Sequence, residues 1–317
     1  MRILLVKTSS LGDVIHNLPV ASDIRRCLPE AKIDWVVEEG FAEIPRLHPG
    51  VRKVIPVAMR RWRKSLLSRT TWRELGQFRR LISADFYDAV VDTQGLIKSA
   101  LFTLAARGHK FGHAHPREAL AALGYDTAID VERQMNAVTR NRLLVAGALG
   151  YSLAELSLDY GIAASTLATG WMPSRKYAVL LTATSRADKE WPEEHWHALG
   201  NALNAAGFAC VLPGGSPAER ERAARIAGSL EQAVAAPALN LTDLASLMAG
   251  ATLVVGVDTG LVHLAAALQR PTVAIYCGSD PSLTGVLGTS HYRNLGSIGQ
   301  APASAEVIET ALHLVAA

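Results

Sequence analysis

An aspartate in the loop after the first predicted strand could act as a base. Residues 2–7 form an apolar run typical of a buried strand, and the loop at residues 9–13 follows it. Gly12 allows the backbone to turn tightly there, and Asp13 lies where a helix N-cap is expected. As a cap, Asp13 would only stabilise the helix. As a carboxylate kept ionised by the helix N-terminus, it could take a proton from a hydroxyl group. The residues alone leave both interpretations open.

A second loop, in the C-terminal half, has the features of an anion site. The predicted strand at residues 252–257 is followed by Asp258, Thr259 and Gly260, and a helix begins there. The free backbone N–H groups of a helix start, together with a threonine hydroxyl, suit a diphosphate. His263 lies one turn further along, as a ligand or as a packed residue. The pattern predicts an anion and does not identify it.

Polar residues also follow two other strands of this half. Thr184 and Ser185 end one predicted strand, and Lys189 comes just before a helix that begins with a proline. A compact ammonium group suits a phosphate. After the next strand, the turn at residues 213–216 lets the backbone approach a ligand. Glu219, in the helical turn that follows, could bind a ribose hydroxyl or only favour the helix dipole. Because ligands of open α/β sheets lie beyond the carboxyl ends of the strands, we expect these groups to share one cleft.

Positive charge is concentrated in one segment. The net charge of the 317 residues is only +3, but positions 60 to 80 hold eight lysines and arginines opposed by Glu74 alone. Trp62, Trp72 and Phe78 are interleaved with them. A solvated helix face with its aromatic rings turned inward would explain the pattern, and so would a docking surface for a polyanion with an apolar portion. A membrane surface, a nucleic acid and a phosphorylated glycolipid all fit the second interpretation.

Several common classes of protein lack their signatures here. Neither half has a Gly-x-Gly-x-x-Gly fingerprint after its first strand, and there is no P-loop or Gly-x-Ser-x-Gly elbow. These absences disfavour a nicotinamide dehydrogenase, a P-loop ATPase and a hydrolase.

The three cysteines are scattered and the ten histidines form no ligand cluster, so we expect reduced thiols and no metal. No run approaches the ~18 apolar residues of a membrane-spanning helix, and the first strand is too short for a signal peptide. We expect a soluble, cytoplasmic protein.

The elements that position these residues alternate between strand and helix twice along the chain. Continuous Val/Ile/Leu runs separated by helical patterns indicate parallel sheets covered on both faces. The predicted strands cover residues 2–7, 32–38, 51–56, 88–92, 177–184, 208–212, 233–236, 252–257 and 272–276. Besides the basic segment, the predicted helices cover residues 14–26, 96–107, 130–149, 193–206, 217–230, 241–250, 261–269 and 303–316.

This alternation predicts the domain organisation. Residues 160–176 lack a clear period and contain glycine and proline, so they are the candidate linker. The fold class is therefore α/β, with two doubly wound Rossmann-like domains that face each other across a cleft. The first domain would cover residues 1–165, with Asp13, and the second residues 175–300, with the predicted anion site. A C-terminal helix at residues 301–317 could return to the first domain.

Six short motifs occur in one order along the chain and are specific when taken together. They lie at residues 6–13, 35–39, 60–64, 92–95, 188–192 and 258–260. Through them the chain resembles the type I lipopolysaccharide heptosyltransferases of bacteria, in glycosyltransferase family 9, along nearly its whole length. The resemblance implies a GT-B fold and an inverting, metal-independent transfer without a cofactor. The donor would be ADP-L-glycero-β-D-manno-heptose. The acceptor would be the inner 3-deoxy-octulosonate (Kdo) of Kdo2-lipid A, in the synthesis of the lipopolysaccharide inner core.

The resemblance also implies roles for single residues and partners. Asp13 would be the catalytic base. The donor would contact Thr184, Ser185, Lys189, Glu219, Leu239, Asp258, Thr259, Gly260 and His263. Leu239 stands where the family commonly has methionine. The acceptor would contact Lys7, Ser10, Gly12, Arg60, Arg61, Arg63, Lys64 and Arg117. Lys7, near Asp13, would pair with an acceptor carboxylate. The implied partners are ADP-heptose, Kdo2-lipid A and the anionic cytoplasmic face of the inner membrane, bound peripherally, and no nucleic acid.

Other functions remain open. A heptosyltransferase for a later core heptose is the main alternative within the family, although the basic run at residues 60–64 favours transfer onto a strongly anionic sugar. A two-domain nucleotide-sugar binding protein would share the twin sheets, but it would need neither Asp13 nor Lys189 and would usually carry an export signal. A nucleotide-sugar epimerase would need a dinucleotide fingerprint and a Tyr-x-x-x-Lys pair, and the sequence has neither.

Overall fold

The computed structural model describes residues 1–288 and 291–316, which fold into two compact units, Met1–Ile162 and Ala163–Ala317. The boundary between the units falls inside the linker predicted at residues 160–176. Residues 150–176 form loops and turns, which includes the whole segment whose glycines, single proline and missing periodicity predict a linker. Each unit buries an apolar core of its own.

The first unit is built on a parallel six-stranded sheet. Its strands are β1 (Arg2–Val6), β2 (Lys32–Glu38), β3 (Val51–Val57), β4 (Phe86–Asp92), β5 (Arg107–His113) and β6 (Thr127–Ile129). Its α-helices are α1 (Leu11–Ile15), α2 (Leu18–Cys27), α3 (Glu43–Arg46), α4 (Met59–Trp62), α5 (Arg69–Ser83), α6 (Ile97–Ala105) and α7 (Ala137–Leu149). Short 3-10 helices lie at Glu39–Phe41 and Ala119–Gly124. The strand order is β3-β2-β1-β4-β5-β6.

The apolar runs of the sequence explain this sheet. Leu4 and Val6 of β1 are fully buried, and they join a core cluster with Phe78 of α5 and Phe102 of α6. The two phenylalanine rings pack edge to face, with their centroids 5.2 Å apart. Helices α5 and α6 are therefore neighbours over one face of the sheet. Such burial of a strand on both faces is what a continuous Val/Ile/Leu run predicts.

The helix predicted at residues 14–26 is two helices in the structure. Helix α1 ends at Ile15, and α2 begins at Leu18 with Asn17 as its N-cap and a proline in its first turn. Pro19 has no N–H to donate to the preceding turn, so a helix can start at this proline but cannot run through it. The break separates the short helix that carries Asp13 from the longer helix behind it.

The basic segment also contains two helices. Helices α4 and α5 are separated by residues 63–68, and the Ser68 side chain accepts a hydrogen bond from the Thr70 N–H at the start of α5. Trp62 and Phe78 turn inward to the core, but Trp72 is 64% exposed. The expectation of inward aromatic rings thus applies to two of the three, because the third lies on the outer face of α5.

The second unit repeats the architecture of the first. Its strands are β7 (Tyr177–Leu181), β8 (Ala209–Leu212), β9 (Ala233–Ala235), β10 (Leu253–Val257), β11 (Thr272–Tyr276) and β12 (Tyr292–Gly296). Its α-helices are α8 (Glu193–Ala205), α9 (Pro217–Gly228), α10 (Leu241–Ala249), α11 (Gly260–Ala267), α12 (Pro281–Thr284) and α13 (Ser304–Ala316). A 3-10 helix lies at Ala187–Lys189. The order β12-β11-β10-β7-β8-β9 is the same doubly wound topology as in the first unit.

The C-terminal helix belongs to the second unit. Val307, Ala311 and Leu314 of α13 are buried in the same core cluster as the strands β7, β8, β10 and β11. Their spacing of four and three residues places them on one helical face. The prediction that this helix could return to the first domain was therefore wrong, because the apolar face of the helix packs on the second sheet.

Three strands were missed by the sequence patterns. Strands β5 and β12 are rich in polar residues or glycine, β6 is only three residues long, and none of the three is buried along its whole length. They lie at a sheet edge or next to it, where a strand needs no apolar run. Within the part of the chain that the structure describes, no helix is long and apolar enough to cross a membrane.

Candidate functional site

In each sheet the strand order reverses between two neighbouring strands, and the loops after those strands carry the candidate residues. The pair is β1 and β4 in the first unit, and β7 and β10 in the second. Ligands of doubly wound sheets bind at this switch point, because the chain leaves the two strands in opposite directions and opens a crevice. Asp13 follows β1, whereas Lys189 and Asp258 follow β7 and β10.

Asp13 is held by the residue that caps its helix. Ser10 is the N-cap of α1, and its backbone N–H and its hydroxyl both donate to Oδ2 of Asp13, each at 2.8 Å. The expectation that Asp13 itself is the N-cap was therefore wrong: it is the third helical residue, and its carboxylate reaches back to the cap. Gly12 lies in the same turn. Two hydrogen bonds to one oxygen fix the orientation of the carboxylate.

Lys7 compensates this carboxylate from inside the unit. Its side chain lies at the end of β1, and the residue is only 5% exposed. The Nζ atom donates to the backbone oxygen of Thr93 at 2.8 Å, and Asp13 and Asp92 are its acidic neighbours. The resemblance implied a contact with an acceptor carboxylate. A lysine this deeply buried is better placed to balance the protein's own carboxylates than to reach a large substrate.

The surroundings of Asp13 keep it ionised. Burial on its own would raise the pKa of the Asp13 carboxyl, but the Lys7 ammonium, the Ser10 N–H and the nearby His16 together hold that pKa below its ordinary value. Burial in turn lowers the pKa of the Lys7 ammonium, and the charges of Asp13 and Asp92 oppose that shift. A carboxylate with a low pKa is in its base form throughout the neutral range, so it can accept a proton from a hydroxyl group.

The second unit gathers its polar residues around Asp258. Lys189 Nζ and the Ser279 hydroxyl both lie 2.5 Å from Asp258 Oδ2. The Thr184 hydroxyl donates to the Asp258 backbone oxygen at 2.9 Å. His263 Nε2 is 4.0 Å from the other carboxylate oxygen, Oδ1. The structure thus brings together four residues that the resemblance placed at the donor site, and Asp258 orients the lysine at the helix start of α11.

A cavity of about 260 Å³ adjoins this cluster. It is lined by Leu181, Ala183, Thr184, Ser185, Pro213, Gly214, Gly215, Glu219, Pro237, Leu239, Leu244, Thr259 and Leu261. Most of these residues are apolar, and the hydroxyl and carboxylate groups are few, which is the composition of a small-molecule site. The cavity includes Ser185, which the rule on strand ends indicated, and Leu239, which no local sequence pattern marks as a ligand.

Glu219 has a structural role as well as a place in the cavity. Its Oε2 accepts hydrogen bonds from the backbone N–H groups of Gly215 and Ser216, at 2.8 and 3.1 Å. The Ser216 hydroxyl accepts from the Glu219 N–H at 3.2 Å, which completes a capping box at the start of α9. The helix-capping interpretation of Glu219 therefore holds, and a contact with ribose would be an additional one.

The basic segment borders a separate cavity of about 420 Å³ in the first unit. Arg60, Arg61 and Lys64 line it, and the Arg60 guanidinium lies 5.1 Å from the centre of the Phe41 ring. Arg61 is bound to Glu39 and Glu74 at 3.0 and 2.8 Å, so its charge is compensated within the protein. Arg63 is exposed and does not line the cavity.

Arg117 belongs to a different group of cations. It follows β5, and its charge acts on the half-buried Arg140, which is also close to Asp13 and Arg133. Burial lowers the pKa of Arg140, and the charge of Asp13 opposes that shift. Arg117 and Arg133 are therefore neighbours of Arg140, and Arg140 is the one of the three that lies near Asp13. Of these three arginines, only Arg117 was predicted.

Ser279 and Arg140 are the candidate residues that sequence reasoning missed. Ser279 follows β11 directly, so the rule that the loops after parallel strands carry ligands could have indicated it. Arg140 lies in the first turn of α7, in a segment with no motif. Its proximity to Asp13 depends on packing across the unit and gives no local signal.

Two doubly wound Rossmann-like units, each with its polar residues at the switch point of the sheet, are the architecture of the GT-B class of glycosyltransferases. Similarity to known proteins gives a narrower result. Residues 75–311 match glycosyltransferase family 9 (heptosyltransferase). Lipopolysaccharide heptosyltransferase 1 of Escherichia coli K12 is 47% identical over 291 residues, which are 91% of this chain and 91% of that protein. The protein of the same name from Pseudomonas aeruginosa PAO1 is 48% identical over 303 residues, 94% of this chain and 84% of its own length.

A solved structure agrees with these relatives. The E. coli heptosyltransferase WaaC with ADP superposes with a TM-score of 0.90 at 42% identity, over 99% of this chain and 100% of that chain. The same enzyme with ADP-2-deoxy-2-fluoro heptose gives a TM-score of 0.84 at 42% identity, over 99% and 98% of the two chains. The chain belongs to glycosyltransferase family 9, the heptosyltransferases.

Proposed function

We propose that the protein transfers L-glycero-D-manno-heptose from ADP-heptose to the inner Kdo of Kdo2-lipid A, with inversion at the transferred carbon. The observation that carries this proposal is the Asp13 carboxylate, fixed by Ser10 and compensated by Lys7, in a chain 46–48% identical to proteins named lipopolysaccharide heptosyltransferase 1. We assign the acceptor and the base to the first unit, and the donor to the second. The relatives' names favour this reaction over transfer of a later core heptose.

The base acts in a single displacement. As the acceptor hydroxyl oxygen attacks the anomeric carbon of heptose, its proton passes to Asp13. The bond from that carbon to the diphosphate oxygen breaks, and ADP leaves with the bonding electron pair. Attack on the face opposite the leaving group inverts the carbon, as in inverting glycosidases. A base that is ionised at neutral pH is what this step requires.

The departing diphosphate needs positive charge and hydrogen-bond donors, because its negative charge grows in the transition state. We assign that work to Lys189 and to the Thr259 and Gly260 N–H groups at the start of α11. Thr184, Ser185 and His263 add polar contacts, with Asp258 holding Lys189 in place. The cavity bordered by Glu219 and Leu239 would take the nucleoside. This scheme uses no metal or cofactor.

The acceptor carries phosphate and carboxylate groups, and both cation clusters suit it. We assign the acceptor phosphates to Arg60, Arg63 and Lys64, whose charges are less compensated than that of Arg61. We assign an acceptor carboxylate to Arg140, which lies near Asp13, and to its neighbour Arg117, since Lys7 is nearly fully buried. Arginine suits such a carboxylate because its planar fork can bind both oxygens.

One set of variants tests these assignments. The assay measures the nucleotide released when Kdo2-lipid A is the acceptor. ADP-heptose is compared with a panel of other nucleotide sugars as donors. Asp13→Asn should lower kcat by about 100- to 10,000-fold, the usual contribution of a general base, and leave donor binding nearly unchanged. Lys189→Met should raise the donor KM and lower kcat, whereas Arg140→Gln should raise the acceptor KM.

Asp130→Asn is the matched control, because this side chain lies in the same unit and is 82% exposed. It should behave as the unmodified protein. Near-normal turnover of Asp13→Asn would remove Asp13 as the base. Faster ADP release with a heptosylated core acceptor than with Kdo2-lipid A would favour the later transfer instead.

We also propose peripheral binding to an anionic membrane surface. Ile97, Leu101 and Leu104 share one face of α6, at a spacing of four and three residues, and are 42%, 58% and 54% exposed. The segment Ala119–Gly124 packs along α6 and adds Leu120 and Leu123, which are 65% and 82% exposed. These five side chains form an apolar patch on the outside of the first unit.

Positive charge adjoins this patch. Helix α5 is the neighbour of α6 through the Phe78–Phe102 contact, and its exposed arginines are Arg69, Arg73, Arg79 and Arg80. An apolar patch beside cations complements a bilayer whose headgroups are anionic and whose interior is apolar. The same surface would bring the enzyme to a lipid-linked acceptor.

Vesicle cosedimentation tests the membrane proposal. The double variant Leu101→Ser/Leu123→Ser should bind phosphatidylglycerol-containing vesicles about 30-fold more weakly, since each leucine loses about 1 kcal/mol of burial. Ile298→Ser is the control, because that side chain is 67% exposed in the other unit. Unchanged binding by the double variant would contradict the proposal. Self-association lost in the double variant would instead show that a second copy covers the patch.

A further inference from the structure

The Asp92-Thr93-Gln94-Gly95 turn is one of the six motifs of the sequence, and it has no part in the proposed reaction. In the structure this turn follows β4 and lies beside the loop that follows β1. We propose that Gln94 is a positioning residue for the catalytic base, which it holds through the loop of residues 8–10. This inference rests on the proposed role of Asp13.

Both the oxygen and the nitrogen of the Gln94 side-chain amide form hydrogen bonds with that loop. Its Oε1 atom accepts hydrogen bonds from the Thr8 N–H and from the Thr8 hydroxyl, both at 2.7 Å. Its Nε2 atom donates to the backbone oxygen of Ser9 at 2.8 Å. One side chain 85 residues away in sequence thus fixes the backbone N–H of one loop residue and the backbone oxygen of the next.

The loop passes this constraint directly to the base. Ser10 is the next residue, and its backbone N–H and hydroxyl are the two donors to Asp13 Oδ2. A shift of the backbone at Ser9 would move both donors together. The connection from Gln94 to the Asp13 carboxylate therefore runs through three successive residues, each of them hydrogen-bonded.

Asp92 in turn holds Gln94 in place. The Gln94 backbone N–H donates to Asp92 Oδ1 at 2.8 Å, and Asp92 is fully buried at the end of β4. The hydroxyls of Ser99 and Tyr125 donate to the other oxygen, at 2.7 and 2.8 Å. The Gly95 N–H is the fourth donor to this carboxylate. A buried carboxylate with four donors is held rigidly, because moving it would leave polar groups unpaired.

Glutamine suits this position because the loop needs an acceptor and a donor from one side chain. A glutamate would keep the acceptor for Thr8 but lose the donor to Ser9, and an alanine would lose both. Gln94 touches no substrate in this scheme, so it acts only through Asp13. That distinction is measurable, since a residue that acts through another has no effect once the other is removed.

The test is a double-mutant cycle in the intact protein, with Gln94→Ala and Gln94→Glu in the unmodified background and in Asp13→Asn. In the unmodified background both variants should lower kcat, by about 10- to 100-fold for a base displaced by about 1 Å, with the KM for ADP-heptose unchanged. In the Asp13→Asn background the same changes should alter the residual rate less than about 2-fold, because the group being positioned is no longer a base.

Gln134→Ala is the matched control, since Gln134 is an exposed glutamine of the same unit. It should leave kcat unchanged in both backgrounds. Hydrogen exchange supplies a readout apart from activity: in Gln94→Ala, peptides that cover residues 7–15 should exchange faster while peptides from β2 and β3 do not.

Each outcome bears on one proposal. An equal fold-loss from Gln94→Ala in both backgrounds would overturn the positioning role, and so would unchanged exchange of residues 7–15. A third outcome would also overturn the proposal: Gln94→Ala loses activity and has a lowered melting temperature, while Gln94→Glu is fully active. Gln94 would then contribute only to stability. Near-normal turnover of Asp13→Asn alone would instead contradict the proposed base, independently of Gln94.

Discussion

Lys7 shows how one buried charge can set the chemistry of another. Its ammonium is nearly fully buried and bonded to the Thr93 backbone oxygen, with Asp13 and Asp92 as acidic neighbours. Taking a cation out of water is costly unless carboxylates compensate it, and here two do. The same interaction keeps Asp13 ionised against the effect of its own burial. The charge state of the base therefore depends on a residue that need not touch the substrate.

Replacement of Lys7 by methionine should raise the pKa of Asp13. Without the ammonium, burial dominates and favours the protonated acid, so the base form is lost at higher pH than before. The acid limb of kcat/KM should move upward by about 1–3 units, the usual effect of one nearby opposite charge. A pH profile of ADP release measures this shift.

Lys32→Met is the control for that change, because Lys32 is an exposed lysine at the start of β2. Its acid limb should stay in place. If Lys7→Met raises only the acceptor KM and the acid limb does not move, Lys7 contacts the acceptor, as the family resemblance implied.

At the scale of elements, the start of α9 connects helix capping to the cavity proposed to hold the nucleoside. Gly214 and Glu219 both line the cavity, and Glu219 caps the helix through Gly215 and Ser216. A Cβ atom on Gly214 would lie 2.7 Å from the backbone N of Arg220. That contact is with backbone and not with a flexible side chain, so the helix start would have to move.

Gly214→Ala should therefore weaken ADP binding by about 10-fold or more, because a displaced helix start distorts the cavity wall by a fraction of an ångström. Gly215→Ala is the comparison, since its Cβ would meet only the Glu219 carboxylate, at 3.1 Å, and that side chain can rotate. Isothermal titration with ADP measures both. Equal affinities of the two variants would contradict this account of the α9 start.

The elements also show what the sequence could and could not predict. Apolar runs such as residues 32–38 and 272–276 gave strands with the bounds now observed, and the rule on strand ends indicated the loops with Asp13 and Asp258. The break at Pro19 and the polar strands β5 and β12 were missed, because one proline changes a helix locally and marginal strands need no apolar period. The pairing of Lys189 with Asp258, 69 residues apart, is set by strand order, which no local pattern contains.

At the scale of the whole molecule, each unit has its own core, and the first contains two buried neutral histidines. Burial lowers the pKa of His48 and of His113 to about 4, helped by nearby arginines and, for His113, by Lys7. His48 is bound to the Ser22 hydroxyl and accepts from the Gly50 N–H, at 2.9 Å each. Neither histidine belongs to the proposed catalytic machinery.

These histidines should make the first unit sensitive to acid. Below pH 6.5 the unfolded chain takes up a proton at each, whereas the folded unit does so only near pH 4, so the free energy of unfolding falls as the pH falls between these values. At pH 5 the loss is about 2 kcal/mol for each histidine relative to pH 7. Urea unfolding at both pH values measures it. His48→Gln and His113→Gln should each reduce the difference, and His115→Gln, with a side chain 70% exposed, should not.

The shared topology of the two units has a consequence for how such enzymes diversify. The residues around Asp13 and the residues of the 260 Å³ cavity are encoded on opposite sides of the Ile162–Ala163 boundary, and each set rests on its own sheet. A genetic crossover within the loop of residues 150–176 would exchange one set and leave the other intact. Under the proposed function, the choice of activated sugar and the choice of acceptor would be inherited as separate traits, and chimeras joined in this loop would be starting points for new pairings.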